Sequence, residues 1–221
     1  MLASSNILKA ELLMLERMRH PNLGDLHVLL SKGPVSSKRA VNFALDIARG
    51  LNCLHERRDP VVHANLKPRN LLVNEAGQLK ITDFGKLRRS LYTEAPEGNE
   101  IGSYLYMAPE VFRQEQFDNS VDVFFLRAHT VLEGLQNRTD ATPQGIARKR
   151  AYEDVRQEFR TNAYPRGMKE LIQACRHGYA SKRPAVSEIM RQLEAMEQPR
   201  CRNSVQQKWQ QKKCGCGCVP W

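Results

Sequence analysis

No apolar run in these 221 residues approaches 18 positions, so no segment reads as a helix that spans a bilayer. The opening stretch MLASSNILKAELLMLE is broken by Lys9 and Glu11 and lacks the uninterrupted apolar core of a secretory leader. Cysteine is sparse in the body of the chain. Cys53 and Cys175 stand singly inside helical patterns, while Cys201, Cys214, Cys216 and Cys218 crowd the end. That is no disulfide framework, and it points to a reducing, cytoplasmic setting. The Cys-Gly-Cys-Gly-Cys run also lacks the Cys-x-x-Cys pairs and fourth ligand of a zinc site. Aromatic residues are only 7%, the Lys and Arg residues are dispersed, and no helix-turn-helix, zinc-finger or RNA-binding motif occurs. The net charge of +10, from 34 basic and 24 acidic residues, therefore reads as a solvated face and not as a sequence-specific nucleic-acid surface.

What remains is ordinary for a soluble domain: 41% hydrophobic and 26% charged residues, in a length that suits one compact unit plus a tail. Ile7, Leu8, Leu12, Leu15 and Met18 predict a helix over 6–19 that stops at His20-Pro21, with Glu11 on the apolar stripe. Residues 35–56 predict a helix apolar on most sides, which is a buried one. Between 61 and 82 the period shortens, giving strands at Asn70–Val73 and Leu79–Thr82 around the turn Asn74-Glu75-Ala76-Gly77. Residues 86–106 read as a long surface loop, and helical periods return at 118–135, 152–159, 167–177 and 185–197. From Pro199 the chain carries five cations between Arg200 and Lys213, no acid and a Gly/Cys end, the composition of a tail outside the core.

The chemistry-bearing stretch is 63–110. His63-Ala64-Asn65-Leu66-Lys67-Pro68-Arg69-Asn70 resembles the protein kinase catalytic loop His-Arg-Asp-Leu-Lys-Pro-x-Asn; Asp83-Phe84-Gly85 resembles the metal-binding triplet, and Ala108-Pro109-Glu110 the close of the activation segment. Three motifs in order, in a strand-turn-strand context, are a specific signal where any one alone is weak. The likeness continues outside them. Glu11-Leu12-Leu13 through Arg19-His20-Pro21-Asn22 resembles the family's C-helix and the turn after it, and Gly24-Asp25-Leu26 the start of its D-helix. Val121-Asp122-Val123-Phe124 resembles the start of the F-helix, and Lys182-Arg183-Pro184 the Arg-Pro before the last helix. Within the family, AVNFALDIARGLNCLH, HANLKPRNLLVN and GSYLYMAPEVF are most similar to plant integrin-linked-kinase-like proteins of the tyrosine-kinase-like group.

The resemblance implies a mainly α (α+β) fold: a kinase C-terminal lobe over 23–197 with a small β-hairpin, a remnant of the C-helix region at 1–22 and a basic tail over 198–221. It implies ATP and magnesium as cofactors, with Asn70 and Asp83 holding the metal and Lys67 steadying the transferred phosphate in a serine/threonine-type loop. Thr93, Ser103 and Tyr104, like Tyr92 and Tyr106, fall where activation-loop phosphosites would lie. It also implies structural roles: Glu110 paired with Arg183, Asp122 anchoring the catalytic-loop backbone, and His63 as a core residue and not a base.

The departures decide the expected activity. Asn65 stands where the family places its catalytic aspartate; an amide cannot accept the substrate's proton, and a lost general base costs about 10²–10⁴ in rate. Ala64 replaces the arginine that pairs with a phosphorylated activation loop. No G-x-G-x-x-G and no V-A-I-K-like lysine precede Glu11, so Glu11 reads as a vestige without its usual partner. Only Leu23 separates His20-Pro21-Asn22 from Gly24-Asp25-Leu26, where the family has two strands and the hinge that grips adenine. Most of the N-terminal lobe is therefore expected to be missing, and ATP binding to be degenerate. Without phosphates to share it, magnesium would be held weakly by one carboxylate and an amide. Arg127 and His129 fall where the family's F-helix is apolar, with Glu133 within pairing distance along a helix.

The expected function is that of a pseudokinase, a scaffold or regulator in signalling whose partners are other proteins, a kinase among them. The alternative is a serine/threonine kinase transferring the ATP γ-phosphate to protein hydroxyls, of which this chain is an incomplete or spliced form. At the tail, Lys212-Lys213 before Cys214, Cys216 and Cys218 offers a polybasic patch with acylation sites, the makings of a peripheral membrane contact; a solvated tail is the plainer reading.

Overall fold

The computed structural model describes residues 24–58, 60–83, 88–89, 101–126, 142–156, 158–159 and 164–197. The order is β1 (Gly24–Asp25), α1 (Leu26–Ser31), α2 (Ser37–His55), β2 (Val61–Val62), β3 (Leu71–Val73), β4 (Leu79–Ile81), β5 (Arg88–Arg89), α3 (Pro109–Phe112), α4 (Ser120–Phe125), α5 (Pro143–Tyr152), α6 (Met168–Cys175) and α7 (Val186–Glu197). Short 3-10 turns occupy Pro68–Asn70, Ile101–Tyr106 and Ala180–Lys182.

The centre of the lobe is α2. Ser36 caps its start by accepting from the Arg39 N–H, and its residues Phe43, Ala44, Leu45, Ala48 and Leu51 are buried. Around it α1, α6 and α7 contribute Leu26, Leu30, Met168, Leu171, Ile172, Ile189 and Leu193 to one continuous core. Each fully buried Leu, Ile, Phe or Met contributes roughly 1.5–3 kcal/mol of transfer free energy, so this cluster dominates the lobe's stability. Gly50 lets the hairpin come close: a Cβ there would sit 2.8 Å from Ile81 Cδ1 on β4. The Asp46 carboxylate then accepts the Leu79 N–H at 2.9 Å, fixing β4 onto α2. A second cluster, Val62, Ala108, Phe117, Val121 and Phe124, joins β2 and the start of α3 to α4.

The expected hairpin is present, with Leu71 opposite Ile81 and Val73 opposite Leu79. It is wider than the sequence suggests, because β1 pairs antiparallel with β3 and makes a three-stranded sheet in the order β1-β3-β4. A separate two-stranded sheet joins β2 and β5, placing a strand and then the 3-10 turn Ile101–Tyr106 inside the stretch read as irregular loop.

The helix expected over 152–159 is corrected. The helix runs Pro143–Tyr152, started by Thr142, whose side chain accepts the Gly145 N–H, and by Pro143 in the first turn. It ends where Asp154 takes a left-handed backbone at φ 53°. Its buried face is Ala147, Arg150 and Ala151, which carries too little apolar signal for periodicity to detect. The helix expected over 118–135 is described only at Ser120–Phe125, and Leu126 leaves helical geometry at ψ 53°. Arg127, His129 and Glu133 lie outside the described residues, as do the 6–19 segment with Glu11, Thr93, and the tail with Cys214, Cys216 and Cys218.

Candidate active site

The loop between β2 and β3 and the turn after β4 bring together the residues singled out by their resemblance to the kinase motifs. His63 is fully buried. Its Nδ1 accepts the Asn65 N–H at 3.3 Å, so the ring proton is on Nε2, which donates to the Thr82 carbonyl at 3.0 Å. Burial pushes the His63 pKa below its ordinary 6.5, against the pull of Asp122, the Thr82 carbonyl and Asp83. The imidazole is therefore a neutral strut between the loop and β4, with both nitrogens committed to backbone.

Asp122, at the start of α4, holds the same loop from below. Its Oδ2 accepts the His63 N–H at 2.8 Å and His55 Nε2 at 2.9 Å, and its Oδ1 accepts the Ala64 N–H at 2.9 Å. This carboxylate pins Ala64 in a left-handed backbone, φ 57°, a conformation that an alanine adopts only at a cost of roughly 1–2 kcal/mol. His55 is a member of this anchor that the sequence pattern did not flag, since it lies there inside the helix expected over 35–56.

On the open side, Asn65, Asn70 and Asp83 form one hydrogen-bonded group. The Asn65 Nδ2 donates to Asp83 Oδ2 at 2.8 Å, and the Asn70 Nδ2 donates both to the same oxygen at 3.0 Å and to the Asn65 carbonyl at 2.7 Å. Asp83 also has a left-handed backbone, φ 63°. Lys67 stands half-buried on the same loop, before the 3-10 turn that carries Asn70.

Glu110 and Arg183 meet in a buried bidentate pair, Nη1 to Oε1 at 2.6 Å and Nη2 to Oε2 at 2.8 Å. The guanidinium also donates to the carbonyls of Ser120 and His177, both at 3.0 Å, and lies 4.8 Å from the centre of the Phe124 ring. Arg150 and Arg156 approach that ring too, at 5.9 Å and 6.0 Å. Burial, with Arg176 and Arg156 nearby, lowers the Arg150 pKa to about 10, and Arg150 ties α5 to the 3-10 turn Ile101–Tyr106 by donating to the Leu105 carbonyl at 2.9 Å. Sequence reading missed Arg150, because an arginine in a helix is normally counted to the solvent side. Tyr104 is half-buried, its ring 6.1 Å from that of Phe112, and Ser103 belongs to the same 3-10 turn.

The profile of the protein kinase domain matches residues 4–193. The chain belongs to the protein kinase family. Its curated relatives include, from Arabidopsis thaliana, integrin-linked protein kinase 1, 38% identical over an alignment of 224 positions that covers 86% of this chain and 47% of the relative. Serine/threonine-protein kinase 12 is 36% identical, covering 84% of this chain and 47% of its own length, and serine/threonine-protein kinase VIK is 36% identical, covering 84% and 49%. The kinase-family chain thus spans about half the length of the curated relatives it matches.

Kinase family membership implies ATP and magnesium, and the donor set tests the metal. Magnesium takes near-octahedral oxygen ligands at about 2.0–2.1 Å. Here the group offers a single carboxylate, and one of its two oxygens already receives two amide N–H groups. Among the described residues, no group of three or more His, Cys, Asp or Glu side chains is placed to hold a metal ion. The residues as arranged do not fit the ion. No helix among the described residues is long and apolar enough to cross a membrane.

Proposed function

We propose that this kinase-family chain is catalytically impaired and acts through protein contacts, as a pseudokinase scaffold or regulator in signalling. The observation that carries the reading is Asn65. At the position of the family's catalytic aspartate it carries a neutral amide, whose N–H end is given to Asp83 and whose oxygen is too weak a base to take the proton of a substrate hydroxyl. Two features support it. The alignment with integrin-linked protein kinase 1 is longer than the stretch of this chain it draws on, in keeping with the single residue Leu23 between the two motifs that flank the family's adenine-gripping hinge. The anchors of Asp122 and the Glu110–Arg183 pair hold the lobe together independently of catalysis.

The test is a thermal-unfolding titration of the purified chain with Mg·ATP beside Asp83→Ala, together with a phosphotransfer assay that includes Asn65→Asp. A ligand at 100 times its dissociation constant adds about 2.7 kcal/mol. The scaffold reading expects a cooperative melt with no shift, and no transfer from either the natural chain or Asn65→Asp. A shift lost in Asp83→Ala, or transfer by Asn65→Asp, would favour the second reading, a serine/threonine kinase using Lys67, Asn70 and Asp83. The names of two of the relatives above favour that reading as well.

A further inference from the structure

The amide ring around Asp83 is closed on itself. Of the two hydrogens on Asn70 Nδ2, one goes to the Asn65 carbonyl and the other to Asp83 Oδ2, which also takes the Asn65 amide. The orientation of the Asn65 side chain follows from charge: its Oδ1 against a carboxylate 2.8 Å away would repel, so the Nδ2 end faces Asp83. An N–H donor and a cation compete for the same lone pairs. The Asn65 amide therefore presents the positive end of a fixed dipole where an ion would have to approach Oδ2.

We infer that Asn65 is a positioning residue that takes the place of a divalent cation: with Asn70 it neutralises and orients Asp83, and holds the left-handed turn at φ 63° in a metal-free form. The natural chain rejects divalent cations at this position. Replacing the amide by a carboxylate reverses the polarity, setting two carboxylates beside the Asn70 side chain and making a cation site where there was none. The inference goes beyond the scaffold reading and is tested without nucleotide or substrate, so the two fail separately.

The experiment titrates the purified chain with Mn²⁺, following the free ion by electron paramagnetic resonance. Thermal melts are recorded in parallel with Mn²⁺ and Mg²⁺ at fixed ionic strength. The natural chain should show no saturable binding below about 1 mM. Its melting temperature should stay within about 1 °C. Asn65→Asp should melt lower than the natural chain in the absence of divalent ions, bind Mn²⁺ at least about tenfold more tightly than the natural chain, and recover its melting temperature as Mn²⁺ saturates. Saturable Mn²⁺ binding by the natural chain that Asp83→Asn abolishes overturns the inference, as does a folded Asn65→Asp that ignores Mn²⁺. Should Asn65→Asp fail to fold, the natural chain decides alone: binding at Asp83 refutes the substitution of amide for cation, and its absence upholds it.

Discussion

Arg183 and Asp83 are both charged side chains held within the same lobe, and they are neutralised in opposite ways. Arg183 is buried against a full countercharge, Glu110, and spends further donors on two backbone carbonyls. Asp83 is only partly buried and is met by two neutral amides. A buried ion pair in which four of the five guanidinium N–H groups are used is costly to break from one side, because the survivor is stranded in a medium of low dielectric. A carboxylate near solvent with two amide partners loses little when one is removed. The first arrangement ties elements of the fold to one another, and the second leaves the chemical position replaceable. That asymmetry separates a structural frame, tied by charge, from a chemical position held by neutral amides.

The largest expected effect tests the frame. Arg183→Ala strands the Glu110 carboxylate and leaves the carbonyls of Ser120 and His177 without this donor, and should destabilise the lobe by about 3–5 kcal/mol. Chemical unfolding of the variant measures it, and an unchanged midpoint and slope would remove the pair from the frame.

The contrasting variant is Asn65→Ala. Asp83 Oδ2 keeps its bond from Asn70 at 3.0 Å, and the Asn65 backbone N–H stays on His63, so the cost should be about 0.5–1.5 kcal/mol. If Asn65→Ala proves as damaging as Arg183→Ala, the comparison fails, and the amide ring belongs to the frame.

How far the sequence disclosed this arrangement follows the same division. The resemblance to the kinase motifs brought Asn65, Asn70 and Asp83 to one site, and α2 and the β3–β4 hairpin were legible because burial on most faces and the turn at Asn74–Gly77 leave strong local patterns. The bonds among the amides were not legible. They depend on Asp83 turning into the left-handed region, which brings its carboxylate under two side chains 18 and 13 residues away. The α5 helix escaped for another reason. Its buried face rests on two alanines and Arg150, a cation whose burial is made tolerable by the Leu105 carbonyl and the Phe124 ring, neither of them a neighbour in sequence. Likewise β1 is two residues long, and only its partner β3 identifies it as a strand.

The smallest effect concerns His63, the strut between the frame and the site. Its folded pKa lies below the ordinary 6.5 because burial disfavours the imidazolium, and its Nδ1 is already an acceptor for the Asn65 N–H. In the unfolded chain the ring binds a proton at a higher pH than it does in the folded one, so the unfolded state holds more protons in the window beneath 6.5, and stability rises with pH there. The stabilisation from a neutral His63 is complete above that value and is lost as the pH falls below it. Urea unfolding of the natural chain from about pH 8 down to about pH 5.5 should show this decline, and His63→Gln should show a shallower one whatever its absolute stability. The slope is the informative quantity, since it isolates the imidazole's proton from the packing lost in the variant. Equal slopes in the two proteins would mean that His63 takes up its proton as readily in the folded lobe as outside it, and that the bond from Asn65 does not hold the ring neutral.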